Sequence, residues 1–371
     1  MTFPLSLYLH IPFCRQKCPY CAFASVCYQE GDGERYLEAL FLELGSLSRS
    51  LLTRPVETLY IGGGTPTLFS SPLWKRLISL IEGSFSFLSD AEVTVEANPG
   101  SLSGEHLLLW RDWRVTRVSL GVQSLDDAEL FVLGRVHTAR QAAESLCACK
   151  AAGFSVSADL MFGLPGGTFR NWARTLHEIK ILAPHHLSVY ELSLEEGTPW
   201  GENPPAHRSD GYLPYRFAQW YLPQKGYEQY EVASFAKKGH ESRHNRSYWA
   251  DVDYLGIGAA AWGYLDGRRY RNEPDPNLYA ARLFRGESPI VFEETLSPVS
   301  RYRDAAVLAL RTRNGIAWDS FEKKYGQSAC LEIRERLLLF APNWVALNDT
   351  GAHLTPRGFR VANQIWSELI D

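Results

Sequence analysis

The stretch Cys14-Arg15-Gln16-Lys17-Cys18-Pro19-Tyr20-Cys21 places three cysteines in a C-x3-C-x2-C spacing directly after the apolar run Leu5–Ile11. Thiolate sulfur is a soft ligand that suits zinc and iron–sulfur clusters. A loop with this spacing can turn three sulfurs toward one face of a cubic 4Fe–4S cluster, which leaves one iron open to a small molecule. The alternative is a zinc knuckle completed by His10 or another residue, although zinc usually takes two separated ligand pairs.

Strand-like and helix-like segments alternate through the first 195 residues and decide the predicted fold class. Repetition of this kind predicts an α/β fold with a parallel sheet, and right-handed crossovers place the helices on one side if the sheet curls. Six such units form a partial (β/α)6 TIM-like barrel; periodicity alone leaves an open doubly wound sheet as the alternative. The predicted strands are Leu5–Ile11, Thr58–Ile61, Glu92–Glu96, Arg117–Gly121, Ser155–Met161 and His186–Glu191. The predicted helices are Tyr36–Leu47, Pro72–Glu82, Gly104–Trp110, Ala139–Ala152 and Phe169–Leu182.

The C-terminal part of the chain has a different pattern, in which helices dominate. A strand pair at Trp344–Leu347 and Ala352–Leu354 is predicted among them, which is typical of a winged-helix-like domain. The chain is therefore predicted to contain a barrel with its extension over residues 1–290 (core 1–200) and a mainly helical domain over residues 291–371. The predicted C-terminal helices are Pro298–Thr312, Trp318–Tyr325, Ala329–Leu339 and Pro356–Leu369.

Composition and charge narrow the function classes. Hydrophobic residues make up 45% and charged residues 22% of the chain, and the net charge is -4, so nothing indicates the basic surface of a nucleic-acid-binding protein. No apolar run of membrane-spanning length and no signal-peptide pattern is seen, which predicts a cytoplasmic, reducing compartment. There the cysteine triplet indicates a metal site rather than disulfides. The other cysteines are predicted to be packing residues: Cys27, Cys147, Cys149 and Cys330.

Further motifs follow the predicted strands. Gly62-Gly63-Gly64-Thr65-Pro66-Thr67 comes after the second strand, Glu96 ends the third, Gln123 follows the fourth and Asp159 lies late in the fifth. Because ligand sites of parallel α/β folds gather at the carboxyl ends of strands, these residues are expected to converge on one site. Taken one by one, the glycines also fit a plain tight turn, and the acids also fit ordinary strand ends.

Tyr8-Leu9-His10-Ile11-Pro12-Phe13-Cys14, together with the cysteine spacing, resembles the signature of radical S-adenosylmethionine (SAM) enzymes. The resemblance implies a 4Fe–4S cluster on Cys14, Cys18 and Cys21. It also implies that the open iron chelates the amino and carboxylate groups of SAM, and that an electron from the cluster cleaves the sulfonium to methionine and a 5'-deoxyadenosyl radical. The SAM contacts that it implies are Tyr8, Tyr20, Gly63, Gly64, Thr65, Pro66, Glu96, Gln123, Arg135 and Asp159.

Within that superfamily the chain is most similar to two related groups, the oxygen-independent coproporphyrinogen III oxidases and the heme chaperones of the HemW family. Two departures separate it from the oxidases. Their motif adds a fourth cysteine two positions after the third, where this chain has Phe23. Their long N-terminal extension also has no counterpart among the seven residues that precede Tyr8.

The segment His244-Asn245-Arg246-Ser247-Tyr248-Trp249 resembles the H-N-x-x-Y-W motif associated with heme in the chaperones. Imidazole is a common axial ligand of heme iron, and Tyr and Trp offer flat apolar surface to a porphyrin. The candidate heme contacts are His244, Asn245, Tyr248 and Trp249, with Arg243 and Arg246 as possible partners of the propionates. From the residues alone, a capped helix start with two packed aromatic rings and a structural His244 explains the segment better than heme contact does, because a lone histidine is weak evidence of a ligand.

The resemblance implies a heme chaperone with heme as its cargo. Its partners would be acceptor hemoproteins of the respiratory chain, reached as a possible homodimer that associates peripherally with the membrane during transfer. No catalytic residue is assigned under this hypothesis. The alternative is an oxygen-independent coproporphyrinogen III oxidase, which converts propionates of coproporphyrinogen III to vinyl groups by oxidative decarboxylation. A third hypothesis is radical SAM chemistry on an unrelated substrate.

Overall fold

The structure is a computed structural model that describes residues 4–207 and 210–370; the ends of the two predicted domains and residues 208–209 lie outside it. Its strands, in chain order, are β1 Leu5–Ile11, β2 Phe13–Cys14, β3 Val26–Cys27, β4 Val56–Gly63, β5 Phe87–Ala97, β6 Arg117–Gln123, β7 Ser155–Phe162, β8 His186–Glu191, β9 Glu228–Gln229, β10 Ser234–Ala236, β11 Tyr254–Ile257, β12 Trp262–Leu265, β13 Arg268–Asn272, β14 Ile290–Thr295, β15 Ile316–Ala317, β16 Val345–Leu347 and β17 Gly351–Leu354.

Helices alternate with the strands in the first part of the chain and make up most of the C-terminal region. In chain order they are α1 Asp32–Ser46, α2 Arg49–Leu52, α3 Ser71–Ser84, α4 Gly104–Asp112, α5 Asp127–Val132, α6 Ala139–Ala151, α7 Phe169–Leu182, α8 Pro199–Glu202, α9 Tyr212–Tyr221, α10 Arg243–Trp249, α11 Pro276–Phe284, α12 Pro298–Leu310, α13 Trp318–Tyr325, α14 Gln327–Leu338 and α15 Ala362–Ile370. None of the helices within the described ranges has the length and apolarity needed to cross a membrane.

The helix starts follow from local capping chemistry. Thr138 accepts a hydrogen bond from the backbone N–H of Gln141, whose side chain accepts in return, so α6 begins with a capping box. The Thr168 hydroxyl accepts a hydrogen bond from the backbone N–H of Asn171 and so caps α7, which matches the prediction at both ends. α1 begins at Asp32, four residues earlier than predicted, directly after Gly31, whose left-handed backbone precedes the helix.

The large sheet has the order β14-β13-β12-β11-β1-β4-β5-β6-β7-β8-β10-β9. From β11 to β8 all neighbouring strands are parallel, and the six predicted strands lie together within this part, which confirms the predicted α/β barrel class. The strands outside this part pair antiparallel with their neighbours. β11 and the strands around it were not predicted, because they are short, interrupted by glycines and paired with distant segments.

Side chains in the barrel strands alternate between an apolar outer face and a polar inner face. Leu5, Leu7 and Leu9 of β1 belong to the hydrophobic core beneath the helices. In β1 and in the neighbouring strands, the residues between such apolar positions point to the opposite face, because successive side chains of a strand alternate. They include Ser6, Tyr8 and His10 of β1, Thr58 and Tyr60 of β4, Glu92 and Glu96 of β5, Arg117 and Ser119 of β6, and Ser157 and Asp159 of β7. The barrel interior is therefore polar.

The C-terminal region has its own hydrophobic core, formed by residues between Ala305 and Leu369. It contains α12 to α15 and a small sheet of order β15-β17-β16, so it is a mixed, mainly helical unit as predicted. β14 pairs with β13 as the edge of the large sheet. The boundary between domains at residue 290 stays a prediction.

Candidate cofactor and ligand site

The cysteine loop leaves the barrel at the end of β1 and carries three half-exposed thiols. The N–H of Cys21 donates to the carbonyl of Cys18 at 3.1 Å, which turns the loop. Thr65 Oγ1 lies 3.6 Å from the sulfur of Cys14, and Arg135 Nη1 lies 3.8 Å from that of Cys18. Three soft ligands on one loop, with hydrogen-bond donors directed at two of them, fit an iron–sulfur cluster.

The zinc alternative requires a fourth ligand, and the structure does not offer His10 for it. His10 Nδ1 lies 2.8 Å from the hydroxyl of Tyr8, and its Nε2 lies 2.8 Å from the carbonyl of Ala24. Both ring nitrogens are therefore engaged. In residues 4–207 and 210–370, no three His, Cys, Asp or Glu side chains are grouped so that they could hold a single metal ion.

Of the remaining cysteines, the structure supports a packing role for two. Cys149 and Cys330 are buried, which confirms the prediction for them. Cys27 and Cys147 are exposed, so that prediction is wrong for both. Cys147 and Cys149 differ because residues two apart on α6 face different sides of the helix.

The glycine turn after β4 packs against the segment that leads into the cysteine loop. Gly63 has φ +110°, and a Cβ there would lie 2.5 Å from the ring of His10. A Cβ on Gly64 would lie 2.4 Å from the carbonyl oxygen of Phe13. The backbone N–H of Thr65 donates to that same oxygen at 2.7 Å. Glycine is therefore required by both conformation and close approach, and Pro66 is buried directly behind the turn.

Two buried carboxylates, Glu96 and Asp159, lie near enough inside the barrel for the charge of one to act on the other. Glu96 accepts hydrogen bonds from the Tyr60 hydroxyl at 2.7 Å and from the Gly63 N–H at 3.0 Å. Burial, together with the nearby charge of Asp159, raises the pKa of Glu96 to about 7. Burial also raises the pKa of Asp159, whose carboxylate accepts from Ser119 at 3.3 Å. Such a pair favours a ligand that brings positive charge or hydroxyl donors.

Gln123 and Arg135 lie together beside Cys18 and carry unused polar atoms. Arg135 Nη2 donates to the Gly121 carbonyl at 2.8 Å, while its Nε is buried and has no hydrogen-bond partner in the part of the chain that the structure describes. Gln123 is held at φ +66°, and its Oε1 is also buried without a hydrogen-bond partner among the described residues. Because unsatisfied buried polar groups cost about 1–3 kcal/mol each, the two atoms fit a ligand with a donor and an acceptor.

The predicted SAM residues thus converge on one edge of the barrel. Tyr8 lies beside His10, and Tyr20 lies near Arg135, with its ring 6.0 Å from that of Trp200. The donors, acceptors and carboxylates on this edge match the amino acid and ribose parts of SAM in chemical type. The residues present therefore fit both implied cofactors.

His244 lies against the inward-facing residues of β4 and has no exposed surface. Its Nδ1 is 2.8 Å from Thr58 Oγ1, its Nε2 is 2.8 Å from the Tyr248 hydroxyl, and its ring stacks on Tyr60 at 5.2 Å. Burial lowers its pKa to about 3, so the ring is neutral. With both nitrogens engaged, it offers no free ligand atom in this arrangement. Ser242 caps α10 by accepting from the Asn245 N–H, as the capped-helix alternative expects.

A buried ion pair that sequence reasoning missed holds α10 in the barrel. Glu92 accepts from the backbone N–H groups of His244 at 2.9 Å and Arg243 at 3.2 Å. Arg117 pairs with Glu92 at 3.3 Å and donates to the carbonyls of His240 and Glu241 just before the helix. The sequence did contain a signal for this ion pair. In Glu92-x-x-x-Glu96 and Arg117-x-Ser119 the polar residues are an even number of positions apart, which places them on the same face of their strand.

A cavity of about 670 Å³ adjoins these residues and reaches from the cysteine loop to the C-terminal region. Phe23, which stands where the oxidases have a fourth cysteine, is 62% exposed and lines it. All four candidate heme residues border the cavity, as do Tyr8 and Glu96, so it is continuous with the carboxylate end of the cofactor site. Its other aromatic and charged lining residues include Tyr254, Trp262, Tyr264, Arg269, Arg271 and Asp304.

The arginines next to the motif face elsewhere. Arg243 pairs with Glu57 at 2.8 Å and with Asp90 at 3.3 Å, away from the cavity. Arg246 is exposed and borders a smaller neighbouring pocket. The arginines that face the cavity are instead Arg269 and Arg271 of β13, which sequence reasoning did not identify.

Comparison with known proteins identifies the family. The model of the Radical SAM superfamily matches residues 8–179. A heme chaperone HemW of Lactococcus lactis is 34% identical over 99% of this chain and 97% of its own length. A heme chaperone HemW of Escherichia coli is 38% identical over 72% of this chain and 73% of its own length.

The fold has a counterpart among solved structures. Coproporphyrinogen III oxidase (HemN) of Escherichia coli, a radical SAM enzyme, superposes with a TM-score of 0.88 over 99% of this chain and 90% of its own, at 24% identity. That likeness establishes a shared fold across both the barrel and the C-terminal region. The sequence relatives place the chain in one branch of the superfamily. The chain belongs to the heme chaperone HemW family of radical SAM proteins.

Proposed function

We propose that this protein is a heme chaperone that binds a 4Fe–4S cluster, SAM and heme, and passes the heme to acceptor hemoproteins. The observation that carries the proposal is the cavity of about 670 Å³, which joins the cofactor site to a wall of aromatic rings and two arginines. Its volume lies within the range of about 300–1,000 Å³ that ligand pockets occupy. A flat apolar ligand with acidic groups suits this lining.

The cofactor residues have separate roles in this proposal. Cys14, Cys18 and Cys21 hold the cluster, which when bound supplies the electron that cleaves the sulfonium of SAM. Arg135 and Gln123 bring their unpartnered buried Nε and Oε1 to the amino acid end of SAM. Glu96 and Asp159 accept from its ribose hydroxyls or ammonium group, and ionised Glu96 attracts positive charge.

For heme, we infer that the aromatic residues supply contact surface and that His244 acts as a positioning residue. The His244 imidazole holds the Tyr248 hydroxyl at 2.8 Å and packs on Tyr60, which in turn donates to Glu96. Phe23 adds an apolar ring on the side of the cysteine loop, where a fourth cysteine would offer a thiol. Asn245, Tyr248 and Trp249 complete this wall.

The family supports the remaining parts of the proposal. Relatives over nearly the whole chain are named heme chaperones. We infer that acceptors belong to the respiratory chain and that transfer takes place from the cytoplasm at the membrane surface, by a homodimer. Size-exclusion chromatography with light scattering, with and without SAM, tests the dimer; a monomer under all conditions would contradict it.

The test of function uses anaerobically reconstituted protein. It is titrated with hemin, and in parallel it is given coproporphyrinogen III, SAM and a reductant. We expect stoichiometric heme binding and no protoporphyrinogen. Formation of protoporphyrinogen at enzymatic rates would overturn the chaperone proposal in favour of the oxidase alternative.

The role of His244 is tested with Tyr248→Phe, which keeps the aromatic ring but frees Nε2 of the imidazole. If His244 positions the Tyr248 ring through its hydroxyl, heme binding should weaken, because the phenyl ring of the variant is no longer held by the imidazole. An axial role predicts equal or tighter binding and a low-spin histidine signature in the heme spectrum. That second result would show that His244 binds the iron.

A further inference from the structure

We propose that Arg271 anchors a carboxylate of the cargo, and that this cation, rather than the arginines beside the H-N-x-x-Y-W motif, recognises the acidic edge of a flat ring system. The inference rests on the proposed function for the identity of the cargo. It assigns a binding residue and the chemical group that this residue takes.

The position of Arg271 directs its guanidinium to an aromatic wall of the cavity. Arg271 lies on β13 and pairs in register with Trp262 of β12. Its guanidinium carbon is 5.4 Å from the centre of the Trp262 ring, and Trp262 is 43% exposed. A guanidinium stacked on an indole keeps its planar edge free for a ligand, because stacking uses only its face.

Among residues 4–207 and 210–370, the charges around the cavity leave Arg271 without a counterion. Asp304 is paired with Arg269, and Asp251 is paired with Lys324 at 2.6 Å. Glu96 is engaged by Tyr60 and Gly63. Each of the three carboxylates that border the cavity therefore has a partner.

Arg271, by contrast, forms no ion pair with any carboxylate in the described part of the chain, and its Nε is buried without a hydrogen-bond partner. An unpaired, partly buried cation destabilises the protein unless a ligand supplies the opposite charge and the missing hydrogen-bond acceptors. Arginine presents two parallel N–H groups that match a carboxylate bidentately.

The surrounding surface selects the kind of molecule that brings the carboxylate. Trp262, Tyr264 and Phe23 border the same cavity and offer aromatic faces. A small free anion would leave these faces unused, whereas a planar macrocycle with a propionate at its rim uses both the rings and the cation. A tetrapyrrole propionate is the group that the geometry favours.

The test compares hemin with hemin dimethyl ester, which has the same ring but no ionised carboxylates. We expect the natural protein to bind hemin about 10-fold to 100-fold more tightly than the ester, as a charge-assisted bidentate contact would give. In Arg271→Met this preference should disappear through weaker binding of hemin, while binding of the ester stays the same. Arg271→Lys keeps the charge but not the fork, and should retain part of the preference.

The matched control is Arg268→Met, on the same strand. Arg268 is exposed, pairs with Glu293 at 3.1 Å and does not border the cavity, so its loss should leave both affinities unchanged. Equal binding of hemin and ester by the natural protein overturns the inference but not the proposed function. Equal weakening of both ligands in Arg271→Met also overturns it, since Arg271 would then act only through packing. Failure of the natural protein to bind either ligand overturns the proposed function itself.

Discussion

Replacing Glu92 by Gln should release α10 from the barrel interior without altering the cavity wall directly. The carboxylate of Glu92 accepts from two backbone N–H groups at the start of α10 and pairs with Arg117, whose side chain is 5% exposed. The amide of Gln keeps the volume but loses the charge, and one of its two polar atoms becomes a donor that faces other donors. Arg117 then remains as a buried cation without a counterion.

The size of the effect follows from this environment. Breaking a buried ion pair by changing one partner costs about 3–5 kcal/mol, because the other charge stays uncompensated. Since about 1.4 kcal/mol corresponds to a factor of ten, the equilibrium for opening of α10 should rise by roughly two to three and a half decades. The change should be concentrated in residues 240–250, because Arg117 also holds the carbonyls of His240 and Glu241.

Hydrogen exchange followed by mass spectrometry measures this opening peptide by peptide. The control is Glu57→Gln, because Glu57 also contacts α10, through Arg243, but its side chain is 44% exposed. An exposed pair of this kind contributes only about 0–1 kcal/mol. If exchange in residues 240–250 stays unchanged in Glu92→Gln, or rises equally in Glu57→Gln, the buried pair does not position the helix.

Three further predictions address the cofactor site. Cys18→Ser should abolish the visible absorbance of the reconstituted cluster, whereas Cys147→Ser, at an exposed cysteine outside the loop, should retain it. Gly63→Ala should lower the urea midpoint of unfolding far more than Gly153→Ala. Both glycines have positive φ, but only at Gly63 would the new Cβ collide with a neighbour, the His10 ring at 2.5 Å. Equal decreases in the midpoint would contradict a steric role for Gly63. The pKa of Glu96, raised to about 7 in the folded chain from 4.5, means that the cofactor-free protein loses stability as pH rises between these values. Between these pH values the natural protein should lose on the order of 3 kcal/mol more free energy of unfolding than Glu96→Gln, which has no carboxyl group to titrate. Parallel pH profiles of unfolding free energy for the two proteins would refute this prediction.

Much of the barrel could be predicted from local patterns. β1 and β8 match the predicted bounds, and for β1 the reason is visible in the sequence, because Pro4 and Pro12 flank the apolar run. The strands from β9 to β13 could not be predicted, since they have two to five residues each and are stabilised by pairing with distant neighbours. Strand pairing of this kind is decided by tertiary contacts rather than by local propensity.

The site shows the same division. Cys14, Cys18 and Cys21 and the glycine turn are close in sequence or carry a motif, so the chemistry of the cofactor end follows from residue types and spacing. His244 carried a motif too, yet its environment was not visible: Thr58 and Tyr248 occupy its two nitrogens. A ring that reads as a free ligand in sequence is a buried, neutral member of a hydrogen-bond network in the folded chain.

The sequence by itself determined the family signature, the strand–helix repeat and the ligand types of the cysteine loop, because these depend on residues near one another in the chain. Only the tertiary structure decided which polar groups meet. It joined Glu92 to Arg117 inside the barrel, and it left Arg271 facing the cavity without a counterion among the described residues. The physical reason is that burial and charge pairing are properties of three-dimensional neighbours, and strands far apart in sequence supply them.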